Sequence, residues 1–314
     1  MIGIQDIQEA RQRIAGSAIR SPLVRLNVDD APGEIYLKLE NLQPIGSFKL
    51  RGAGNAICLA KRDELAKGVY TASAGNMAQG VAWHARRLGL SCTVVVPEHA
   101  PQTKLAAIER LGARYIKVPF EEWWQVIVTH RYAGLDGFFV HPVSDPAVMA
   151  GNGTIGVEIL EDCADVDSIL VPYGGGGLSC GIATAVRSCK PGTKVYACEV
   201  ETSAALAAAL GTGTITKIDY RPSFVDGIGS SAVLEEMWPL AQHLLDGSLV
   251  SSLAEVAESV RLLAERNRVI AEGAGAASVA AALSGKAGGG KIVCVVSGGN
   301  IDFEKLIKIF KREI

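Results

Sequence analysis

Four short segments contain residue types that could bind and activate a small molecule. The first, PIGSFKLRGA, places Lys49 among small and apolar neighbours. Such surroundings remove water from an ammonium group, lower its pKa and leave a nucleophilic amine. Because a lysine at a helix start is more often an ordinary structural residue, the prediction of a catalytic Lys49 depends on the other three segments.

The second segment is a run of glycines from Gly174 to Gly177, between the apolar stretch SILVPY and the helical pattern LSCGIATAVRS. Its unhindered N–H groups, at the positive end of a helix, suit a phosphate. The alternative is a tight turn that lets strand and helix pack closely. Ser179 replaces the last glycine of a GxGxxG pattern, and no GK[ST] motif is present. We therefore expect the loop to bind a ligand that carries a single phosphate and no adenosine group.

The third and fourth segments offer neutral hydrogen-bonding groups. TASAGNMAQG provides the side chains of Ser73 and Asn76, with successive N–H groups at a predicted helix start. These groups suit a carboxylate, although a helix cap with an Asx turn is the structural alternative. VVSGGNID places the hydroxyl of Ser297 just beyond a buried strand, and by itself this segment would be only a turn.

The elements that must position these segments follow an alternating pattern. Short β-branched runs such as CTVVVP, YIKVP and KIVCVVS alternate with longer alanine-rich segments of helical period. This alternation predicts an α/β fold with parallel, buried strands, whose ligands lie at strand ends. The chain is expected to leave one sheet near Gly68 and return near His141. Residues 67–141 would then form a smaller α/β lobe inserted into a larger lobe of residues 1–66 and 142–314.

Composition narrows the function further. Of the 314 residues, 48% are hydrophobic and 20% are charged, with a net charge of −2, so no basic field favours nucleic acid or anionic lipid. No apolar run approaches the roughly 18 residues of a membrane helix, and the N-terminus does not resemble a signal peptide. The seven cysteines are scattered and the five histidines lack zinc-ligand spacing. We expect a cytoplasmic enzyme for a small molecule, with reduced thiols and no metal.

Taken together and in this order, the SFKLRGA lysine, the SAGN loop, the GGGGL loop and the SGGN serine resemble the fold-type II pyridoxal-phosphate family of threonine and serine dehydratases. The resemblance spans nearly the whole chain. It implies a two-lobed α/β enzyme with a parallel-sheet large lobe, an inserted smaller lobe and pyridoxal 5'-phosphate in the cleft. Family members are commonly homo-oligomers, so a dimer or tetramer is expected.

The resemblance also assigns roles to individual residues. Lys49 would hold the cofactor covalently and then, once the substrate amine frees it, remove the α-proton. Phe48 would pack beside the cofactor, and Asn76 would bond its 3-hydroxyl. A hydroxyl from Ser297 at the pyridine nitrogen, instead of a carboxylate, would weaken the electron sink and favour β-elimination over transamination. The residues expected to cradle the phosphate are Gly174, Gly175, Gly176, Gly177 and Leu178.

The expected substrate contacts include two departures from the family pattern. Met77 stands where most dehydratases have a histidine, and the helix after YIKVP carries two tryptophans. At most one of these can face the cleft, and both are more often core or interface residues. If Trp124 lines the pocket with Met77, an aromatic β-hydroxy amino acid such as phenylserine would fit. The predicted substrate residues are Ser73, Ala74, Gly75, Asn76, Met77 and Trp124.

Two further departures bear on alternative functions. Ala74 occupies the position of the second catalytic base in the family's serine racemases, which disfavours racemisation. Glu199 matches the first residue of the family's metal pair, but Ala205 stands at the second, so no divalent-metal site is expected. The predicted reaction converts threonine, serine or phenylserine to a 2-oxo acid and ammonia. The alternatives are a racemase, a β-replacement synthase, a protein that only binds the cofactor, or an NAD-dependent oxidoreductase, for which Lys49 has no purpose.

Overall fold

The computed structural model describes residues 2–314 and shows a six-stranded sheet and a four-stranded sheet. The strand order of the larger sheet is β1-β2-β10-β7-β8-β9, and all its strands are parallel except β1, which pairs antiparallel with β2. Its strands are β1 (Leu23–Arg25), β2 (Glu34–Leu39), β7 (Ser168–Pro172), β8 (Lys194–Val200), β9 (Gly247–Ser251) and β10 (Lys291–Val296).

The smaller sheet is entirely parallel, with the strand order β5-β4-β3-β6. All its strands come from one continuous stretch of chain between two portions that build the larger sheet. They are β3 (Val69–Ala72), β4 (Cys92–Pro97), β5 (Arg114–Val118) and β6 (Phe138–Phe139). The predicted α/β class with parallel strands is confirmed. Burial holds for strands such as β3, β7 and β10, but in β5 only the last residue, Val118, is buried. The lobe boundaries at 66/67 and 141/142 stay a prediction.

Thirteen α-helices are seen among residues 2–314, and they cover the sheets. They are α1 (Ile4–Arg13), α2 (Lys49–Leu59), α3 (Arg62–Ala66), α4 (Asn76–Leu88), α5 (Gln102–Arg110), α6 (Phe120–Thr129), α7 (Pro146–Asp162), α8 (Gly177–Cys189), α9 (Ala205–Thr212), α10 (Trp238–Leu244), α11 (Leu253–Leu262), α12 (Gly273–Leu283) and α13 (Phe303–Phe310). Within the described chain, none has both the length and the apolar character needed to cross a membrane.

The pattern of burial in β10 shows why the large sheet has helices on both faces. Ile292, Cys294 and Val296 belong to one core cluster, whereas Val293 and Val295 belong to another. Successive strand residues point to opposite faces, so a continuous apolar run needs cover on both sides. All seven cysteines are unpaired thiols. Five are buried, and the two exposed ones are Cys58 in α2 and Cys189 in α8.

Candidate active site

A cavity of about 330 Å³ is lined by residues from both sheets' strand ends and helix starts. The arrangement follows from the topology, because parallel strands bring their carboxyl ends to one edge of a sheet. The structure brings together every predicted site residue except Trp124. Those lining the cavity are Phe48, Lys49, Ser73, Ala74, Gly75, Asn76, Met77, Gly174, Gly175, Gly176, Gly177, Leu178 and Ser297.

Lys49 is the first residue of α2, and its ammonium donates a hydrogen bond to the carbonyl oxygen of Pro142 at 2.6 Å. Burial lowers its pKa to about 8 because the charged form loses water, and the charge of Glu272 only partly opposes this effect. Near neutral pH an appreciable fraction of the amine is therefore neutral, as a nucleophile or base requires.

A buried ion network two residues further along α2 holds this helix in place. The guanidinium of Arg51 donates to both oxygens of Glu40 at 2.8 Å and to both oxygens of Glu158 at 2.7 and 2.9 Å. Lys38 approaches Glu158 at 2.7 Å, so β2, α2 and α7 share one set of charges. Burial alone would raise the pKa of Glu40, but the charge and hydrogen bonds of Arg51, with those of Ser21 and Lys38, together outweigh it and the pKa is lowered. Each carboxylate is thus paired, and the start of α2 is fixed.

The glycine run connects β7 to α8 in a conformation that side chains would disrupt. Gly176 has a φ of 97°, which lies in the left-handed region, and α8 begins at Gly177. A Cβ at Gly177 would lie 2.3 Å from the carbonyl oxygen of Val143, and one at Gly175 would lie 2.6 Å from the Val143 side chain. The close approach leaves a cradle of backbone N–H groups at a helix N-terminus, which fits a phosphate.

The segment from Ser73 to Met77 follows β3 and leads into α4. The N–H of Gly75 donates to the Ser73 hydroxyl at 3.1 Å, which closes a small turn before the helix begins at Asn76. Met77 is buried beneath it in the apolar core of the smaller sheet. On the opposite wall, the carbonyl of Ser297 accepts from the N–H of Phe48 at 3.0 Å, which ties the end of β10 to Lys49.

The structure places Trp123, and not the predicted Trp124, on the cavity wall. On α6, Trp123 shares a face with Val126 and Ile127, which are buried in the core of the smaller sheet. Trp124 is 38% exposed and shares its face with Val128, which is 54% exposed. Because side chains three and four residues apart lie on the same face, core packing of Val126 and Ile127 turns Trp123 inward.

Sequence reasoning missed several charged residues that belong to the site. Glu272, the N-cap residue of α12, is buried in the cavity wall and accepts from Asn76 Nδ2 at 2.8 Å. Asp226 also lines the cavity and pairs with Lys104 at 3.1 Å and with Lys305 at 3.0 Å. A signal for Glu272 was present, because it is the one charged residue between Val269 and Leu283.

Two places could suggest a metal: His141 with its neighbours His130 and Glu236, and Glu199. The ligand atoms of His141 and Glu199 already have hydrogen-bond partners. His141 Nδ1 accepts from the N–H of Ser144 at 2.8 Å, and its Nε2 faces the carbonyl of Ile127 at 3.2 Å. His141 therefore has no free ring nitrogen with which to bind a metal together with its neighbours His130 and Glu236. The Glu199 carboxylate accepts from the N–H groups of two residues in the first turn of α9 at 2.8 Å and from Ser248 at 2.5 Å.

A buried lysine of lowered pKa, facing a glycine cradle at a helix start, defines an enzyme whose cofactor carries a phosphate and reacts with an amine. The model of the family described as "Pyridoxal-phosphate dependent enzyme" matches residues 14–298. The chain belongs to this family and uses pyridoxal phosphate. The glycine cradle, the isolated lysine and the hydroxyl at the end of β10 are all compatible with that group.

Two relatives and one solved structure illustrate the similarity. L-threonine ammonia-lyase of Thermotoga maritima is 38% identical, and the match covers 99% of this chain and 79% of that protein. L-threonine dehydratase catabolic TdcB of Escherichia coli K12 is also 38% identical, over 98% of this chain and 96% of its own. The structure of maize serine racemase superposes with a TM-score of 0.90 at 28% identity, covering 99% and 97% of the two chains.

Proposed function

We propose that the protein catalyses the elimination of water from a β-hydroxy-α-amino acid. The enamine that this releases tautomerises to an imine, which water then hydrolyses to a 2-oxo acid and ammonia. The observation that carries this proposal is Lys49, buried in the cleft with a pKa of about 8 and facing the glycine cradle. The relatives named as an L-threonine ammonia-lyase and an L-threonine dehydratase, each 38% identical over nearly the whole chain, support the same reaction.

The chain's own residues supply binding and proton transfer. The N–H groups between Ser73 and Met77, at the start of α4, are suited to hold the substrate carboxylate. Neutral Lys49 takes the α-proton. Pyridoxal phosphate, held by Asn76 and the glycine cradle, would supply the electron sink for the pair that this proton leaves behind. The β-hydroxyl then leaves as water. Because the cavity wall at Ala74 carries only a methyl group, this position has no second base, and loss of water is favoured over return of a proton to the opposite face.

We further propose that the substrate's β-substituent is larger than the methyl group of threonine. Met77, Trp123 and Val143 give part of the cavity an apolar lining, which suits an aryl or long alkyl group. Phenylserine is the predicted example. This proposal now depends on Trp123, because Trp124 lies outside the cavity wall.

The test is release of ammonia and 2-oxo acid from L-threonine, L-serine and L-threo-phenylserine by the purified protein. Lys49→Ala should abolish turnover of each substrate, whereas Lys217→Ala, at an exposed lysine, should not change it. Formation of D-serine from L-serine would favour the racemase instead. An absence of any Lys49-dependent turnover would leave a protein that only binds the cofactor.

The oligomeric state and the cellular location are also proposals. An exposed apolar stripe on and beyond α13, formed by Phe303, Ile307, Phe310 and Ile314, supports assembly into a homo-oligomer. Light scattering of the wild type and of Phe303→Asp would test this assembly.

The seven unpaired thiols support a cytoplasmic location.

A further inference from the structure

Glu272, in the cavity wall, is hydrogen-bonded to Asn76, a residue expected to contact the cofactor. One of its oxygens, Oε1, accepts from Asn76 Nδ2 at 2.8 Å. The SGGN loop leaves room for this carboxylate, because a Cβ at Gly298 would lie 2.5 Å from the same oxygen and 3.2 Å from Asn76 Nδ2. The Glu272–Asn76 contact therefore lies against the loop that begins with Ser297, a residue of the cavity wall.

The other end of the Asn76 amide is also fixed. Its Oδ1 accepts from Asn300 Nδ2 at 2.8 Å, and the same Asn300 nitrogen donates to the carbonyl of Ile45 at 2.7 Å. A backbone carbonyl only accepts, so Asn300 must present its NH₂ group to both partners. Asn76 must then present its oxygen to Asn300 and its nitrogen to the carboxylate. The chain of donors and acceptors permits one orientation of the Asn76 amide.

We propose that Glu272 and Asn300 are positioning residues that orient the Asn76 amide, so that its remaining N–H is directed to the 3-oxygen of the bound cofactor. An N–H donor stabilises an ionised 3-oxygen, whereas a flipped amide would present a carbonyl and favour the un-ionised hydroxyl. The inference rests on the cofactor site of the proposed function, but not on the identity of the substrate.

The charge of Glu272 adds a dependence on pH. Burial raises its pKa to about 7, as does the negative charge of Asp226, while the hydrogen bond from Asn76 and the charges of Lys104 and Lys49 act in the opposite direction. An ionised carboxylate accepts a stronger hydrogen bond than a protonated one. The hydrogen bond from Asn76 to Glu272 should therefore strengthen as the pH rises through about 7. The ionised form of the cofactor's 3-oxygen should be favoured over the same pH range.

The experiment uses the holoenzyme and reads the cofactor spectrum, with no substrate added. The visible band reports the ionised 3-oxygen and the near-ultraviolet band reports the un-ionised form. In the wild type the ratio of visible to near-ultraviolet absorbance should rise with pH through a midpoint near 7. Glu272→Met removes the acceptor and should lower this ratio at least about tenfold at high pH. Glu265→Gln, at an exposed residue outside the cavity wall, is the control variant.

Two further variants separate the hydrogen bond from the charge. Glu272→Gln keeps an acceptor oxygen, so the visible band should persist while its dependence on pH near 7 disappears. Asn300→Ala should lower the ratio without moving that midpoint. A wild-type spectrum in all three variants would overturn the proposal, even if one variant folds poorly. A wild type that shows these spectra but turns over no β-hydroxy amino acid would instead refute the proposed function and leave the positioning role standing.

Discussion

The glycine cradle can be tested by one methyl group. In Gly177→Ala the new Cβ would lie 2.3 Å from the carbonyl oxygen of Val143. Ordinary contact needs about 3.5 Å, so the loop or the carbonyl must move by more than about 1 Å. Overpacking of this kind costs roughly 1–3 kcal/mol. If the displaced loop loses that much in binding the phosphate, cofactor affinity should fall by roughly 5-fold to 150-fold.

The assay is a titration of the cofactor-free protein with pyridoxal phosphate, alongside thermal unfolding without the cofactor. Gly156→Ala is the matched control, because its Cβ would lie 2.9 Å from the carbonyl of Ile182, in the α7–α8 interface away from the cavity. It should lower the unfolding free energy by a similar amount while leaving cofactor affinity unchanged. Equal cofactor affinity in Gly177→Ala and the wild type would refute the assignment of the phosphate to this loop.

Three more predictions follow from the site. Trp123→Ala should reduce kcat/KM for phenylserine at least about tenfold more than for threonine. Trp124→Ala, the control, should change kcat/KM for neither substrate. Equal losses on both substrates in Trp123→Ala would show that Trp123 has no role in selectivity. In the cofactor-free protein, the folded-state pKa of Lys49 is about 8, below its ordinary 10.5. The folded state then binds fewer protons than the unfolded state between these values, so stability rises with pH there. Chemical unfolding should show Lys49→Met more stable than the wild type at pH 7, by a margin that shrinks towards pH 10; a constant margin would contradict the buried charge. Asp226→Asn removes a negative charge that faces Glu272 and should move the spectroscopic midpoint to lower pH. An unmoved midpoint would show that the two groups do not interact.

Local sequence patterns were sufficient for much of the fold. The apolar runs at β7 and β10 predicted buried strands because both faces of each strand need cover. A glycine directly after the helical pattern AWHARRL suits a left-handed helix end, and Gly89 has a φ of 68° at the C-cap of α4. The four motifs also indicated one cavity, since each contains a strand end or a helix start.

Long-range packing explains what the sequence did not disclose. Neighbouring tryptophans look alike in a sequence, and only the packing of Val126 and Ile127 against the smaller sheet selects Trp123. Glu272 lies 196 residues after Asn76 in the sequence, although their side chains are hydrogen-bonded. Its isolation in an apolar stretch marks Glu272 as unusual, but no local pattern tells that the N-terminus of α12 will reach Asn76. The Lys104–Asp226 pair likewise joins elements whose proximity depends on how the two sheets meet.

The thiol of Cys58 is a site at which a fluorescent dye can be attached for resonance energy transfer measurements. Cys58 is exposed and lies on α2, nine residues after the lysine that begins the same helix. At a rise of 1.5 Å per residue, about 14 Å of rigid helix separates the two positions. A dye attached there, with Cys189 replaced, would be close enough for resonance energy transfer with the cofactor's chromophore. Loading of the cofactor could then be followed in real time, without any substrate and independently of catalysis.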